Sequence, residues 1–116
     1  MKVYIAGPIN GYLDNNERAF RRVAKELVAL GYEPVNPLDV QPLADPHICR
    51  GEKAQGNHSY GCYMIPDLKA LLDCEGYTLL RGWENSKGAS VEEQVARICG
   101  HIYINTGHVW DDEIGS

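Results

Sequence analysis

The chain has 116 residues, of which 44% are hydrophobic, and a formal net charge of −5. This length fits one domain with a single core, and the acidic balance argues against a general nucleic-acid binder, which needs a basic face. No apolar run has the length of a signal peptide or a membrane span, so we expect a cytoplasmic protein whose cysteines (Cys49, Cys62, Cys74 and Cys99) are reduced.

The first third of the chain predicts a β-α-β unit. Residues 2–6 are mostly β-branched or aromatic and stop at Gly7-Pro8, which is typical of a buried strand. Asp14 and Glu17 have the spacing of a capping box, and a helix with an apolar face follows. Residues 32–35 form the next predicted strand, so the pattern favours a parallel sheet.

The loop from Gly7 to Gly11 is a candidate anion site. Its two glycines allow backbone N–H groups to approach a ligand, and a helix follows with Arg18 near its start. A plain strand-to-helix turn explains the same residues equally well.

Residues 37–63 show no sustained period and are interrupted by prolines and glycines, so we predict a long loop that acts as a lid or an interface. The loop contains four potential zinc ligands, His47, Cys49, His58 and Cys62. Their spacing matches no common structural zinc pattern, so no metal site is predicted. Tyr63 could stack on an aromatic ligand or be an ordinary half-buried tyrosine.

Two further helices each carry an acidic residue that we expect near the ligand. Pro66 suits the first position of a helix, which places Asp67 in its first turn. The second helix follows Gly88, with Ser90 and Glu93 as its capping box and Glu92 in its first turn. Core-facing residues predicted from the apolar pattern of this helix are Val91, Val95 and Ile98.

Strands are predicted over residues 76–80, between these helices, and over residues 101–104, after the second. Asp67 and Glu92 then begin helices on the same edge of one sheet, next to the Gly7–Gly11 loop. The tail, residues 106–116, is predicted to be irregular, and the whole chain is one domain.

Two carboxyl groups at one crevice suit the cleavage of a glycosidic bond. The reaction needs a negative charge beside the developing oxocarbenium ion and a proton donor for the leaving group. Glu92, kept ionised by the helix start, would be the nucleophile, and the less solvated Asp67 would donate the proton. Alternatively, each carboxylate only stabilises its own helix.

The segments 1–11 and 82–92 and the pair Asp67-Leu68 resemble a small bacterial and phage family of nucleoside 2-deoxyribosyltransferase-like domains, of the DUF4406 type. The resemblance extends over residues 1 to about 105. It implies a three-layer flavodoxin-like or Rossmann-like fold with a parallel sheet of order 2-1-3-4, or five strands as an alternative. It also implies Glu92 as the nucleophile and Asp67 as the residue that contacts the base.

The resemblance further implies that the Gly7 loop and the loop after the third strand surround the sugar or a 5′-phosphate. The predicted substrate-binding residues are Gly7, Pro8, Asn10, Gly11, Ser86, Gly88, Trp83 and Tyr63. We therefore expect cleavage or transfer of the N-glycosidic bond of a nucleoside or nucleoside 5′-monophosphate. The alternative is a non-catalytic module that binds or sequesters nucleotides.

The expected partners follow from this reading. They are a small nucleoside or nucleotide and a second copy of the chain, in a homodimer or a higher homo-oligomer, which the resemblance implies. We expect no nucleic acid or membrane as a partner, and no cofactor.

Overall fold

A computed structural model describes residues 1–9, 11–40 and 60–106, with positions 60 and 61 described by their backbone alone. Its strands are β1 (Lys2–Ala6), β2 (Glu33–Val35), β3 (Gly76–Leu79) and β4 (Ile102–Tyr103). They form one parallel sheet in the order β2-β1-β3-β4, which confirms the predicted α/β fold and strand order. The described residues contain no fifth strand.

Three helices cover the two faces of this sheet. They are α1 (Glu17–Ala29), α2 (Tyr60–Leu72) and α3 (Lys87–Ile98), with short 3-10 turns at Leu13–Asn16, Pro37–Asp39 and Trp83–Asn85. None of the described helices is long and apolar enough to cross a membrane.

Side chains alternate between the two faces of the sheet along β1, one of its two inner strands, and this alternation divides the core into two parts. Val3 and Ile5 face α1, where they meet Phe20, Val23, Leu27 and Leu80. Tyr4 and Ala6 face the opposite way, and on that side the cluster also contains Leu71, Cys74, Tyr77, Leu79, Ala89 and Ala96. The α1 face and the α2/α3 face therefore have separate cores.

The direction of α2 agrees with the prediction for a crossover helix in a parallel sheet. Asp73, just past its end, forms an ion pair of 3.0 Å with Lys2, the first residue of β1. The helix thus ends at the amino edge of the sheet, and its start lies toward the carboxyl edge.

The predicted starts of all three helices need correction, beginning with α1. The capping box of Asp14 and Glu17 does not form: α1 begins at Glu17, and Asn16 precedes it without a side-chain cap. Asp14, Asn15 and Asn16 all have left-handed backbones, with φ of 51°, 55° and 64°. Asn and Asp tolerate this region better than other non-glycine residues. The Asn16 amide instead donates to the carbonyl oxygen of Pro8 at 2.9 Å, which fixes the loop to the helix start.

Pro66 lies inside α2, not at its first position. The helix begins at Tyr60, so residues 60–63, which we predicted to be in the long loop, are helical, and Asp67 is beyond the first turn. Proline has no N–H, so Pro66 cannot donate to the carbonyl of Cys62 one turn before it.

Helix α3 begins earlier than predicted because Ser86 is its N-cap. The Ser86 hydroxyl oxygen accepts from the Ala89 N–H at 3.2 Å, whereas Ser90 donates to the carbonyl oxygens of Trp83 and Glu84, both at 3.3 Å. Glu93 forms an ion pair with Arg97 rather than a capping box.

The buried face of α3 is also different from the prediction. Its buried residues are Gly88, Ala89, Glu92 and Ala96, whereas Val91 is 38% exposed and Ile98 is 71% exposed. A face of glycine and alanine allows the helix to approach the sheet closely, and Glu92 is carried into the core with them.

Candidate functional site

The centre of the candidate site is a hydrogen bond between Tyr4 and Glu92. The Tyr4 hydroxyl donates to Oε2 of Glu92 at 2.8 Å, and the bond is buried. Tyr4 is fully buried and Glu92 is 5% exposed. The sequence analysis did not single out Tyr4, although it is the only buried residue of β1 with a polar tip, and a buried tyrosine hydroxyl usually has a partner.

Asp67 lies on the same side of the sheet as Glu92. It is 8% exposed, and its charge raises the pKa of both Glu92 and Tyr4. Two carboxyl groups from α2 and α3 are thus both buried beside β1, close enough to influence each other's charge. The expected positions within the helices are wrong, since Asp67 is in the middle of α2 and Glu92 in the second turn of α3.

Burial dominates the protonation of both carboxyl groups. It raises the pKa of Asp67 to about 7. It also raises the pKa of Glu92 to about 8, where the hydrogen bond from Tyr4 acts in the opposite direction and the charge of Asp67 adds to the increase. The prediction that a helix start keeps Glu92 ionised is therefore wrong, because Glu92 is past the first turn and lies in the core.

These pKa values give the pair a specific chemical capacity. Between about pH 7 and pH 8 Asp67 and Glu92 share a single proton. One carboxyl group can then be a base or nucleophile while the other is a proton donor, all near neutral pH.

The predicted residues of the first loop have mainly structural contacts. A Cβ at Gly7 would lie 2.6 Å from Cβ of Leu80, so this glycine allows the ends of β1 and β3 to pack closely. The Pro8 carbonyl oxygen accepts from Asn16. Gly11 is exposed, with a φ of 83° that favours glycine. Asn10 lies outside the described residues.

Of the predicted residues after β3, Trp83 and Gly88 lie on the same face of the sheet as the carboxyl pair. Trp83 is half-buried and packs against the cluster that contains Tyr4 and Ala89. Ser86 is the N-cap of α3, and Gly88 lies on its buried face. Tyr63, on α2, is 47% exposed.

A cavity of about 240 Å³ lies at the α1 face, between α1 and the segment that follows β3. Its lining includes Tyr12, Arg22, Arg81 and Gly82. Asp67 and Glu92 do not line it, and neither does Arg18, the arginine that the sequence favoured. Arg22, one helical turn further along, lines it instead.

Within the described ranges, no three potential ligands come together as a metal site. His47, Cys49 and His58 of the zinc alternative lie outside those ranges. Cys62, Cys74 and Cys99 are thiols outside any disulfide.

The fold and the site define an α/β domain with a parallel sheet and a buried carboxyl pair on one of its faces. Over residues 1–104 the chain matches the family described as a domain of unknown function, DUF4406, and it belongs to that family. No curated protein matches the chain.

Proposed function

We propose that this protein cleaves or transfers the N-glycosidic bond of a nucleoside or nucleoside 5′-monophosphate. The observation that carries the proposal is the burial of both Asp67 and Glu92, which are far apart in the chain, near Tyr4. The resemblance of residues 82–92 to nucleoside 2-deoxyribosyltransferases gives separate support.

In the proposed reaction, ionised Glu92 attacks the anomeric carbon of the sugar while protonated Asp67 donates its proton to the departing base. The products are a free base and a glycosyl ester on Glu92. Water then hydrolyses the ester, or a second base takes the sugar. Tyr4 is a positioning residue, since its hydroxyl fixes one oxygen of the Glu92 carboxyl group.

The developing positive charge of the sugar favours the required protonation state. Burial holds Glu92 mostly protonated at pH 7. Asp67 has the lower pKa, so the single proton of the pair rests mainly on Glu92 in the free protein. A cation beside a carboxyl group lowers its pKa, so in the proposed reaction the developing oxocarbenium charge draws Glu92 toward the ionised form that stabilises it, and the proton passes to Asp67 for donation to the base.

The test is to incubate the protein with deoxynucleosides and their 5′-monophosphates and to measure free base by liquid chromatography. We expect base release or base exchange by the wild type, and a loss of at least about 10³-fold in Glu92→Gln. Glu93→Gln is the matched control, because Glu93 is the neighbouring glutamate but pairs with Arg97. The absence of both base release and base exchange in the wild type would reject the proposal.

A second candidate function is a non-catalytic module that binds or sequesters nucleotides. The observation that favours it is the low exposure of both carboxyl groups, 5% for Glu92 and 8% for Asp67, which leaves little surface for a sugar to contact. Calorimetry with deoxynucleoside monophosphates distinguishes the two functions. A module of this kind would bind equally well as wild type and as Glu92→Gln, without releasing base from either.

We also propose that a second copy of the chain completes the site, in a homodimer or a higher homo-oligomer. Val91 and Ile98 are seven positions apart on one face of α3 and are both exposed, as are Ile102 and Tyr103 of the edge strand β4. Sedimentation velocity measures the assembly, and Ile98→Lys should weaken it. A wild type that stays monomeric at all concentrations would contradict the proposed oligomer.

The cytoplasm is the proposed compartment, in keeping with the thiols of Cys62, Cys74 and Cys99.

A further inference from the structure

The cavity at the α1 face has no part in the chemistry proposed for Glu92. It lies across the sheet from the carboxyl pair, beside Val23 and Leu80 of the α1-face core. Its volume of about 240 Å³ exceeds the roughly 150 Å³ that suffices for a benzene-sized ligand. The cavity therefore has room for a small ligand such as a phosphorylated pentose.

The charges around this cavity favour an anion. Arg22 and Arg81 both line it, and no aspartate or glutamate is among its lining residues in the part of the chain that the structure describes. The whole chain has a net charge of −5, so a cavity whose described lining contains two arginines and no acidic residue differs from the average surface.

Arg21, the neighbour of Arg22, shows what an arginine with a structural role looks like in this helix. Its guanidinium forms a two-pronged pair with Asp39, at 2.9 and 3.1 Å, and a third contact with Glu17 at 3.3 Å. Arg22 forms no ion pair with any residue in the described ranges, although it is half-buried. Its charge is therefore available to a ligand in the cavity.

The other polar groups of the cavity include hydrogen-bond donors from Tyr12, Asn16 and Asn85. Tyr12 lies over Gly82, where a Cβ would be 2.6 Å from the tyrosine hydroxyl. Asn16, with its left-handed backbone, is held by its bond to Pro8. Asn85 contributes a side-chain amide. Two guanidinium groups with a hydroxyl and an amide form a donor set that suits the oxygens of a phosphate group.

We propose that this cavity binds a phosphate monoester through Arg22 and Arg81. The ligand is a phosphorylated molecule separate from the substrate of Glu92, because the cavity lies across the sheet from the carboxyl pair. The inference goes beyond the reaction proposed for Glu92 and holds whether or not Glu92 is catalytic, because it depends on residues of the opposite face.

Calorimetric titration of the full chain with ribose 5-phosphate tests the proposal. We expect saturable binding by the wild type and at least 10-fold weaker binding by Arg22→Gln, since the substitution removes the guanidinium group that would donate to the phosphate oxygens. Arg18→Gln is the matched control: it removes the same charge from the exposed side of the same helix, outside the cavity, and should change the affinity less than 2-fold. Arg81→Gln, on a different element, repeats the test if Arg22→Gln fails to fold.

Two further probes identify the source of the phosphate. Tighter binding of ribose 5-phosphate than of inorganic phosphate supports a sugar phosphate as the ligand, and equal binding supports a site for the phosphate group alone. Ribose without phosphate should not bind. The proposal is overturned if the wild type binds neither phosphate probe, if ribose binds as well as its phosphate, or if Arg18→Gln weakens binding as much as Arg22→Gln.

Discussion

Tyr4 opposes the effect of burial on the ionisation of Glu92 through one buried hydrogen bond of 2.8 Å. The bond lowers the pKa of Glu92 against the effect of burial, which raises it. A hydrogen bond to a charged group contributes roughly 1.5–3 kcal/mol, so its loss should have a measurable effect on any reaction that needs the carboxylate.

We therefore expect Tyr4→Phe to raise the pKa of Glu92 further. Base release should fall about 10-fold at neutral pH, and the acid limb of the pH–rate profile should move to higher pH. The measurement is the full profile of the variant against the wild type. Tyr77→Phe, in the adjacent strand at the position paired with Tyr4, should leave the profile in place. An unchanged profile in Tyr4→Phe would mean that the hydroxyl does not act on Glu92 during the reaction.

At the scale of the element, helix α2 carries a proline in its interior. A proline in a helix interior costs up to about 3 kcal/mol relative to alanine, because it removes a backbone hydrogen bond and crowds the preceding turn. Pro66 is followed directly by Asp67, so the local geometry of this helix sets the position of one carboxyl group.

We expect Pro66→Ala to stabilise the domain by about 1 kcal/mol or more and to lower base release, since loss of the proline ring lets the turn before Asp67 repack and shifts Asp67 relative to Glu92. Urea unfolding measures the first effect and liquid chromatography the second. Lys69→Ala, an exposed change in the same helix, controls for helix propensity and should leave base release unchanged. A variant that is destabilised would show that the surroundings of Pro66 already compensate for its missing N–H.

The strands could be predicted from the sequence to within a residue or so, because short β-branched and aromatic runs such as residues 2–6 end at glycine, proline or asparagine. The helix starts could not. Ser86, Ser90 and Asp14 all have side chains that can cap a helix, and only tertiary contacts decide which one does. Pro66 is favoured at a helix start by local preference, which the packing of α2 overrides.

Asp67 and Glu92 could be selected from the sequence, but Tyr4, which hydrogen-bonds to Glu92, and the electrostatics of the candidate site could not. The alternation of strands and helices brings Asp67 and Glu92 to one sheet, so their proximity follows from topology. The face of α3 does not follow from its sequence, because the stripe of Val91, Val95 and Ile98 is more hydrophobic than the stripe of Ala89, Glu92 and Ala96 that is buried. Only the close approach of small residues explains why Glu92 is in the core with a raised pKa.

For the molecule as a whole, the two buried carboxyl groups make stability depend on pH. Both have a pKa in the folded state above the ordinary value, so folding is favoured while they are protonated. Their contribution is fully present below about pH 4, the ordinary range of such groups, and it is lost as the pH rises through about 7 and 8.

We expect the melting temperature to fall between about pH 5 and pH 8. Over the same range the free energy of unfolding falls, and Glu92→Gln should reduce this fall by about 1 kcal/mol or more. The reduction is equivalent to roughly 4 °C in melting temperature for a domain of this size. Differential scanning calorimetry in matched buffers measures the dependence, and Glu93→Gln should retain the wild-type slope. A melting temperature that rises over this range would show that Asp67 and Glu92 are ionised in the folded protein.

The contact of Gly7 with Leu80 has a consequence for how the sequence can vary. Position 7 has no room for a methyl group, because Leu80 occupies the space at 2.6 Å. Gly31, in contrast, has open space around it and is restricted only by its φ of 92°, a conformation that asparagine can adopt. A saturation library should therefore tolerate asparagine at position 31 and hardly any replacement at position 7, so that natural drift in this domain is expected to reshape its turns while the junction between β1 and β3 stays unchanged.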